Sequence, residues 1–433
     1  MDRNDGSAAG PASPPRSRGY AHYVLGVLFV VYVFNFIDRQ VLAILLDPIK
    51  EELAVSDTWM GVLSGPAFAL FYTFAGIPIA RWADRSSRRS IIALGLTLWS
   101  VMTAACGLAR SFLELALARV AVGVGEAAGS PPAHSLISDY FPPERRATAL
   151  SIYATGVYVG AMIAFLLGGW VLSAFDWRTV FVVVGLPGLL LALLVRLTVR
   201  EPPRGHSERG PADAGNVPLG EVLRFLASRR SFVFIVLAAS CAALSGYGVL
   251  AWGPAFLGRV HGMSGLEIGT SLGLIIGLGG SGGAFLGGRL ADVLGRRYPR
   301  WYMFLSALVC ATGVPFAVGF VLLDDTRLAL TCFAPFYVLT AMYVGPMLSM
   351  TQGLVKLRMR ATASAILLFI LNVVGLGAGP FLVGLLNDQL ADRFGPEAIR
   401  YSLLVVAVIG GLAGPLFFEA SRTLREDLAA RDA

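Results

Sequence analysis

The sequence predicts an all-α integral membrane protein: twelve transmembrane helices arranged as two six-helix bundles with pseudo-twofold symmetry. Three observations carry this. Of 433 residues, 56% are hydrophobic and only 15% charged, with a mean hydropathy of +0.68, far too apolar for a water-soluble domain of this length. Apolar runs of about 20 residues, the length at which a helix crosses a hydrocarbon core of roughly 30 Å, recur twelve times. One polar stretch, residues 199–231, separates six of these runs from the other six.

The first 19 residues, rich in Pro, Ser, Gly and Arg, read as a disordered tail, and no apolar core there precedes a cleavage site for a signal peptide. The first bundle, 20–198, holds spans near 22–46, 58–80, 90–109, 112–137, 147–172 and 178–198. In the linker 199–231, Leu219, Val222, Leu223 and Leu226 outline an amphipathic helix on the membrane surface. The second bundle, 232–420, holds spans near 232–257, 267–288, 301–323, 328–354, 361–386 and 399–418, and residues 421–433 form a second tail. Gly156, Gly160, Gly168 and Gly169 are spaced for close helix approach in the fifth span, and Gly375, Gly377, Gly379 and Pro380 imply a bend in the eleventh. His134, beside Pro131 and Pro132, reads as structural.

Net charge is +7, yet its distribution argues against a nucleic-acid partner. With the N-terminus inside, 26 of the 35 Lys and Arg fall in cytoplasmic segments, 7 in outer loops, and 2, Arg39 and Arg119, within spans. Both termini are then cytoplasmic. Cys106, Cys241, Cys310 and Cys332 lie within spans without the spacing of a disulfide framework or a zinc site. The sequence has no phosphate-cradling loop with a lysine and no nucleophile triad, so it does not read as an enzyme, and no cofactor is implied beyond a proton as coupling ion.

A decapeptide repeats 208 residues apart: ARWADRSSRR (80–89) follows the second span and GRLADVLGRR (288–297) the eighth. Arginines alone would be an ordinary basic turn, but an acid among cations at a helix end suggests a latch on the inner side. Asp84, Arg85 and Arg88, with Arg145, and Asp292, Arg296 and Arg297 are the candidates for a cytoplasmic gate.

Within the spans, charges are few and costly, roughly 2.5–3.5 kcal/mol each at mid-helix. NFIDRQ puts Asp38 and Arg39 in the first span; RVAVGVGEA puts Arg119 and Glu126 in the fourth. At about 1.5 Å rise per residue, Asp38 lies about 13 Å and Arg119 about 12 Å below the outer edge, with Glu126 two turns deeper on the same helix face. The four are expected to line one polar shaft, unless they serve only as a salt bridge between the two helices. Spans seven to twelve carry no comparable charge, so their wall should be apolar and aromatic, with Tyr247, Trp252, Tyr337, Tyr343, Met347 and Asn372 as candidates. A pocket charged on one wall and apolar on the other suits an amphiphile with a charged head.

The repeated G-x-x-x-D-x-x-G-R-R pattern, complete in the second copy and with Ala80 and Ser87 replacing glycine in the first, resembles that of the major facilitator superfamily. NFIDR (35–39), GVGEA (123–127) and ISDYFPPERRATALSIY (137–153) resemble segments of the Spinster family of lysolipid transporters. The resemblance implies the superfamily fold with a substrate site near midplane between the halves, and alternating access. Together with the residues above it implies proton coupling through Asp38 and Glu126, and substrate binding by Asn35, Arg39, Arg119, Glu126, Tyr247, Trp252, Tyr343, Met347 and Asn372. The partners expected are an amphiphilic lysophospholipid-like or sphingosine-phosphate-like substrate and membrane lipids, for a monomer in a bacterial cytoplasmic membrane. A multidrug exporter, an organic-anion transporter and a non-transporting receptor are the alternatives.

Overall fold

A computed structural model of the chain describes residues 18–203 and 217–430, so most of the first tail and the centre of the linker lie outside the described residues. Spans 1 to 3 are Arg18–Leu53, Asp57–Ala83 and Arg88–Cys106. Span 4 is two helices, Phe112–Glu126 and Ser130–Tyr140, and spans 5 and 6 are Pro143–Ala174 and Trp177–Thr198. The second bundle comprises span 7 (Arg230–Arg259), span 8 (Gly265–Gly295), span 9 (Trp301–Leu322) and span 10 (Thr326–Gly353). Span 11 runs from Arg360–Leu371 through Asn372–Ala378 into Gly379–Phe394, and span 12 is Ala398–Gly411 with Ala413–Ala429.

Among the described residues, ten continuous helical segments are long and apolar enough to cross a membrane. The broken span 4 adds one, and Arg360–Ala429 holds two passes because the chain reverses at Gly395, whose φ of 53° suits glycine. The described residues include no strand. With an even number of passes both chain ends lie on one face, the termini face; the opposite one is the distal face.

Local chemistry starts several spans on the distal side. The Ser111, Asp176 and Asp325 side chains cap spans 4, 6 and 10, and Ser264 forms a reciprocal capping box with Glu267 at span 8. In span 5, Gly156 and Gly160 admit Tyr32 and the Val33 carbonyl of span 1, Gly168 faces Ile44, and Gly169 meets Gly265 and Gly269 of span 8. A side chain at any of these would strike the neighbouring helix, so the glycine row is what brings spans 1 and 8 close to span 5. The bend predicted in span 11 takes the form of the π-helical segment Asn372–Ala378, where Gly375 and Gly379 approach Ala243, Leu244 and Gly248 of span 7.

Two boundaries differ from the sequence reading. The amphipathic linker helix forms at Leu219–Ala227, but it packs Val222 and Leu226 into the core of the second bundle, leaving Leu219 and Leu223 exposed. Residues 421–430, read as tail, are helical to Ala429 with Ser421 and Leu424 buried. They are held because Ser231 donates from its amide and hydroxyl to Asp427, and Arg229 donates to the Ala430 carbonyl. Hydropathy ends where the side chains become polar, whereas this helix continues for its contacts with span 7.

Candidate functional site

Spans 1 and 4 place Asn35, Asp38, Arg119 and Glu126 in the interior, each at most 3% exposed. The break at 127–129 follows directly after Glu126 and ends the first helix of span 4 there. Arg39 donates from Nη2 to Glu126 Oε2 at 2.8 Å and from Nε at 3.3 Å, and reaches Asn35 Oδ1 at 3.5 Å. The guanidinium is enclosed by aromatic faces, with Phe36, Phe68 and Tyr72 ring centres 4.8, 4.9 and 4.6 Å away. Arg119 also sits over Phe68, 5.3 Å from its centre, and donates to the backbone carbonyl of Asp38 at 3.2 Å.

The four intramembrane charges therefore do share one region, but their pairing is not the one that depth alone suggests. Glu126 belongs to Arg39, while Arg119 takes the carbonyl of Asp38 and not its carboxylate. Among the described residues, Asp38 forms no ion pair within 4 Å and its Oδ1 accepts no hydrogen bond; Glu126 Oε1 and Arg119 Nε are likewise unpartnered. Buried polar atoms without partners are uncommon in folded proteins. Three of them cluster in this one site.

Arg39 and Arg119 line a cavity of about 30 Å³, room for about one water. Its opposite wall is Tyr247, Leu250 and Ala251 of span 7 with Leu376 and Pro380 of span 11. Tyr247 is thus brought to the charged wall. Trp252 is instead buried, donating its indole N–H to the Pro380 carbonyl at 2.8 Å. Tyr343 and Met347 belong to the core of the second bundle, where Tyr343 packs on Phe417 of span 12 at 5.7 Å. Asn372 opens the π-helical segment one turn before Leu376. Tyr337 meets Gly280 of span 8, and His134 lies edge-on to Tyr153 at 5.3 Å.

The gate candidates stay within their own bundles. Buried Arg88 pairs with Asp139 of span 4 and with Glu201 at the start of the linker. Asp292 accepts a hydrogen bond from the Tyr302 hydroxyl at 3.0 Å. Asp84, Arg85, Arg145, Arg296 and Arg297 are exposed on the termini face.

The ion pairs that join the bundles are distal and were not anticipated from sequence. Arg259, at the end of span 7, binds Asp47 of span 1 and Asp57 of span 2 through paired nitrogens, each at 2.5 Å. Lys50 adds a 2.7 Å contact to Asp57. From span 11, Asn387 donates to Asp57 at 2.9 Å, and Asp388 accepts from the backbone amides of Asp57 and Thr58. Beside this network, Gly61 and Gly65 of span 2 lie against the backbone of span 11, and the Gly169 and Gly269 crossing joins spans 5 and 8. The distal side of the interface is closed.

Comparison with known proteins accords with this architecture. Residues 28–380 match the Major Facilitator Superfamily. An MFS-type efflux pump of Mycolicibacterium smegmatis is 35% identical over 407 residues, covering 93% of each chain. Protein spinster homolog 1 of Mus musculus is 30% identical over 448 residues, covering 95% of this chain and 82% of its own. A solved bacterial homologue of the human lysosomal transporter Spinster, in an inward-facing and unoccupied conformation, superposes with a TM-score of 0.85 at 34% identity, over 96% of this chain and 99% of that one. The chain belongs to the major facilitator superfamily, as a multi-pass transporter related to the Spinster homologues and not an enzyme.

Proposed function

We propose that the chain carries an amphiphile with a charged head and an apolar tail, a lysophospholipid or a sphingosine-phosphate-like molecule, by proton-coupled alternating access. The observation that carries this reading is the unequal interface: Arg39 and Arg119 of the first bundle share one cavity with Tyr247, Leu250 and Leu376 of the second, and the same two spans bury Asp38 Oδ1 and Glu126 Oε1 without hydrogen-bond partners. A head group finds cations and acceptors on one side, and a chain finds apolar surface on the other. A sugar would find on that second wall only the Tyr247 hydroxyl as a side-chain partner for its own hydroxyls.

In this reading the termini face is cytoplasmic, in keeping with the excess of Lys and Arg there, and a closed distal face is what an inward-facing state requires. Glu126 is charge-compensated by Arg39. The Asp38 carboxylate has no such partner, so its charge is the one free to change as the bundles rock and alter its surroundings. Arg119, with one guanidinium edge unengaged, receives the anionic head. No dedicated coupling ion other than the proton, and no further cofactor, is invoked.

A second reading, export of hydrophobic drugs, is favoured by the 35% identity to an efflux pump. The two separate in proteoliposomes of the purified protein. Uptake of a labelled anionic lysolipid that grows with acyl length, is weakened by Arg119→Ala and is unaffected by excess cationic drug is the expected outcome. Drug transport that lysolipid fails to compete, and that persists in Arg119→Ala, would replace the lipid reading with the drug reading.

A further inference from the structure

A groove of about 1130 Å³ opens on the termini face where span 9 begins and span 12 ends. Both spans pack against spans of their own bundle, so the groove lies away from the interface that holds the candidate transport site. Its rim carries four guanidinium groups: Arg297 and Arg300 from the turn before span 9, and Arg422 and Arg425 from the last helix. No acidic side chain lines it among the described residues. Arg422 meets Glu419 at 3.1 Å in an exposed pair worth little in water.

Below the arginines the lining turns aromatic. Arg297 and Arg300 lie 5.6 and 6.0 Å from the ring centre of Tyr298. Trp301 meets Phe304 edge-on at 5.0 Å, and Phe304 meets Phe418 of span 12 at 6.1 Å. Tyr298 and Phe418 are half exposed, at 50% and 44%. Cations at a helix end, then interfacial Tyr and Trp, then Phe further along the spans is the order in which a phospholipid presents phosphate, glycerol and acyl chain. Planar guanidinium groups match phosphate oxygens in pairs.

We propose that this groove is a binding site for an anionic phospholipid, with its phosphate among Arg297, Arg300, Arg422 and Arg425 and an acyl chain along Phe304 and Phe418. The bound lipid joins the turn before span 9 to the end of span 12 and compensates a cluster of like charges of which, among the described residues, one arginine has an ion pair, an exposed one.

Native mass spectrometry of the full chain in detergent, titrated with phosphatidylglycerol or phosphatidylcholine, tests this. Phosphatidylglycerol is expected to bind at least about tenfold more tightly, and the triple change Arg300→Gln, Arg422→Gln, Arg425→Gln is expected to abolish that preference, whereas the three Lys replacements retain most of it. Equal binding of the two lipids, or an unchanged preference in the Gln variant, overturns the proposal. So does displacement of phosphatidylglycerol by millimolar inorganic phosphate, which would make this a site for free anions. A photoreactive phosphatidylglycerol gives a readout on the unmodified protein: crosslinks are expected on residues 297–304 and 418–428, and crosslinks confined to other regions contradict the assignment.

Discussion

The two walls of the central interface are built from opposite materials. The first bundle lines the cavity with Arg39 and Arg119 and buries Asp38 and Glu126 on the same two spans, and the second contributes Tyr247, Leu250, Ala251, Leu376 and Pro380. The mid-depth ion pair, Arg39 with Glu126, lies wholly inside the first bundle. The ion pairs that cross between bundles, Arg259 with Asp47 and Asp57, lie at the distal end. The difference has a mechanical meaning. A charge pair broken at mid-depth would leave two ions in a low-dielectric interior, at a cost of several kcal/mol. A pair broken at the distal end can be rehydrated. Under the proposed alternating access, keeping the deep pair within one bundle would let the apolar wall move past it, while the pair that must separate sits where water can replace it.

The sharpest way to break this comparison is Arg39→Ala, which strips Glu126 of its partner. A loss of about 3–5 kcal/mol is expected, read as a lower unfolding temperature in detergent, with partial recovery in the double variant that adds Glu126→Gln. A negligible loss would mean that the deep pair is solvated and the wall is not dry. Arg259→Ala comes next. It removes the cation from two acids of the other bundle and is expected to shift the distal side toward open by about 2 kcal/mol. Spin-label distances between positions 51 and 261 should lengthen, and an unchanged distance would assign the closure to helix packing alone.

Smaller still is Glu201→Gln, whose partners Ser87, Arg88 and Arg89 lie in the first bundle. Burial pushes the Glu201 carboxyl up, but the Arg89 amide, the Arg88 guanidinium and the Ser87 hydroxyl outweigh it and hold it below its ordinary value. Its stabilisation is therefore present above the ordinary glutamate pKa and lost as pH falls through the depressed folded value. The variant should be less stable by about 1 kcal/mol at neutral pH and indistinguishable from wild type in acid. It should leave the 51 to 261 distance unmoved. Tyr247→Phe, with its ring retained on the apolar wall, should change stability by less than about 0.5 kcal/mol.

Much of this was legible in the sequence, for identifiable reasons. A span announces itself by length and apolarity, a buried charge by its rarity, and the halves by the repeated decapeptide. Asp38, Arg39, Arg119 and Glu126 stand out because lipid makes them costly. Their pairing did not follow, because helix rotation decides that Arg39 faces Glu126, and depth alone does not encode it. The latch was hidden for the opposite reason. Asp47, Asp57 and Arg259 sit at helix ends, where charges are cheap and common, and Arg259 lies 212 residues from Asp47. Trp252, Tyr343 and Met347 read as cavity candidates by type, but an aromatic side chain serves a bundle core as well as a binding wall, and only packing distinguishes the two.

The central proposal is that the Asp38 carboxylate, which forms no ion pair among the described residues, couples transport to protons. Flux of a labelled lysolipid in proteoliposomes, with and without an imposed proton gradient, tests it in the wild type and in Asp38→Asn, which keeps the shape and removes the titrating group. The account predicts that gradient-driven accumulation disappears in the variant while exchange without a gradient survives. Gradient-driven accumulation equal to that of the wild type would contradict it.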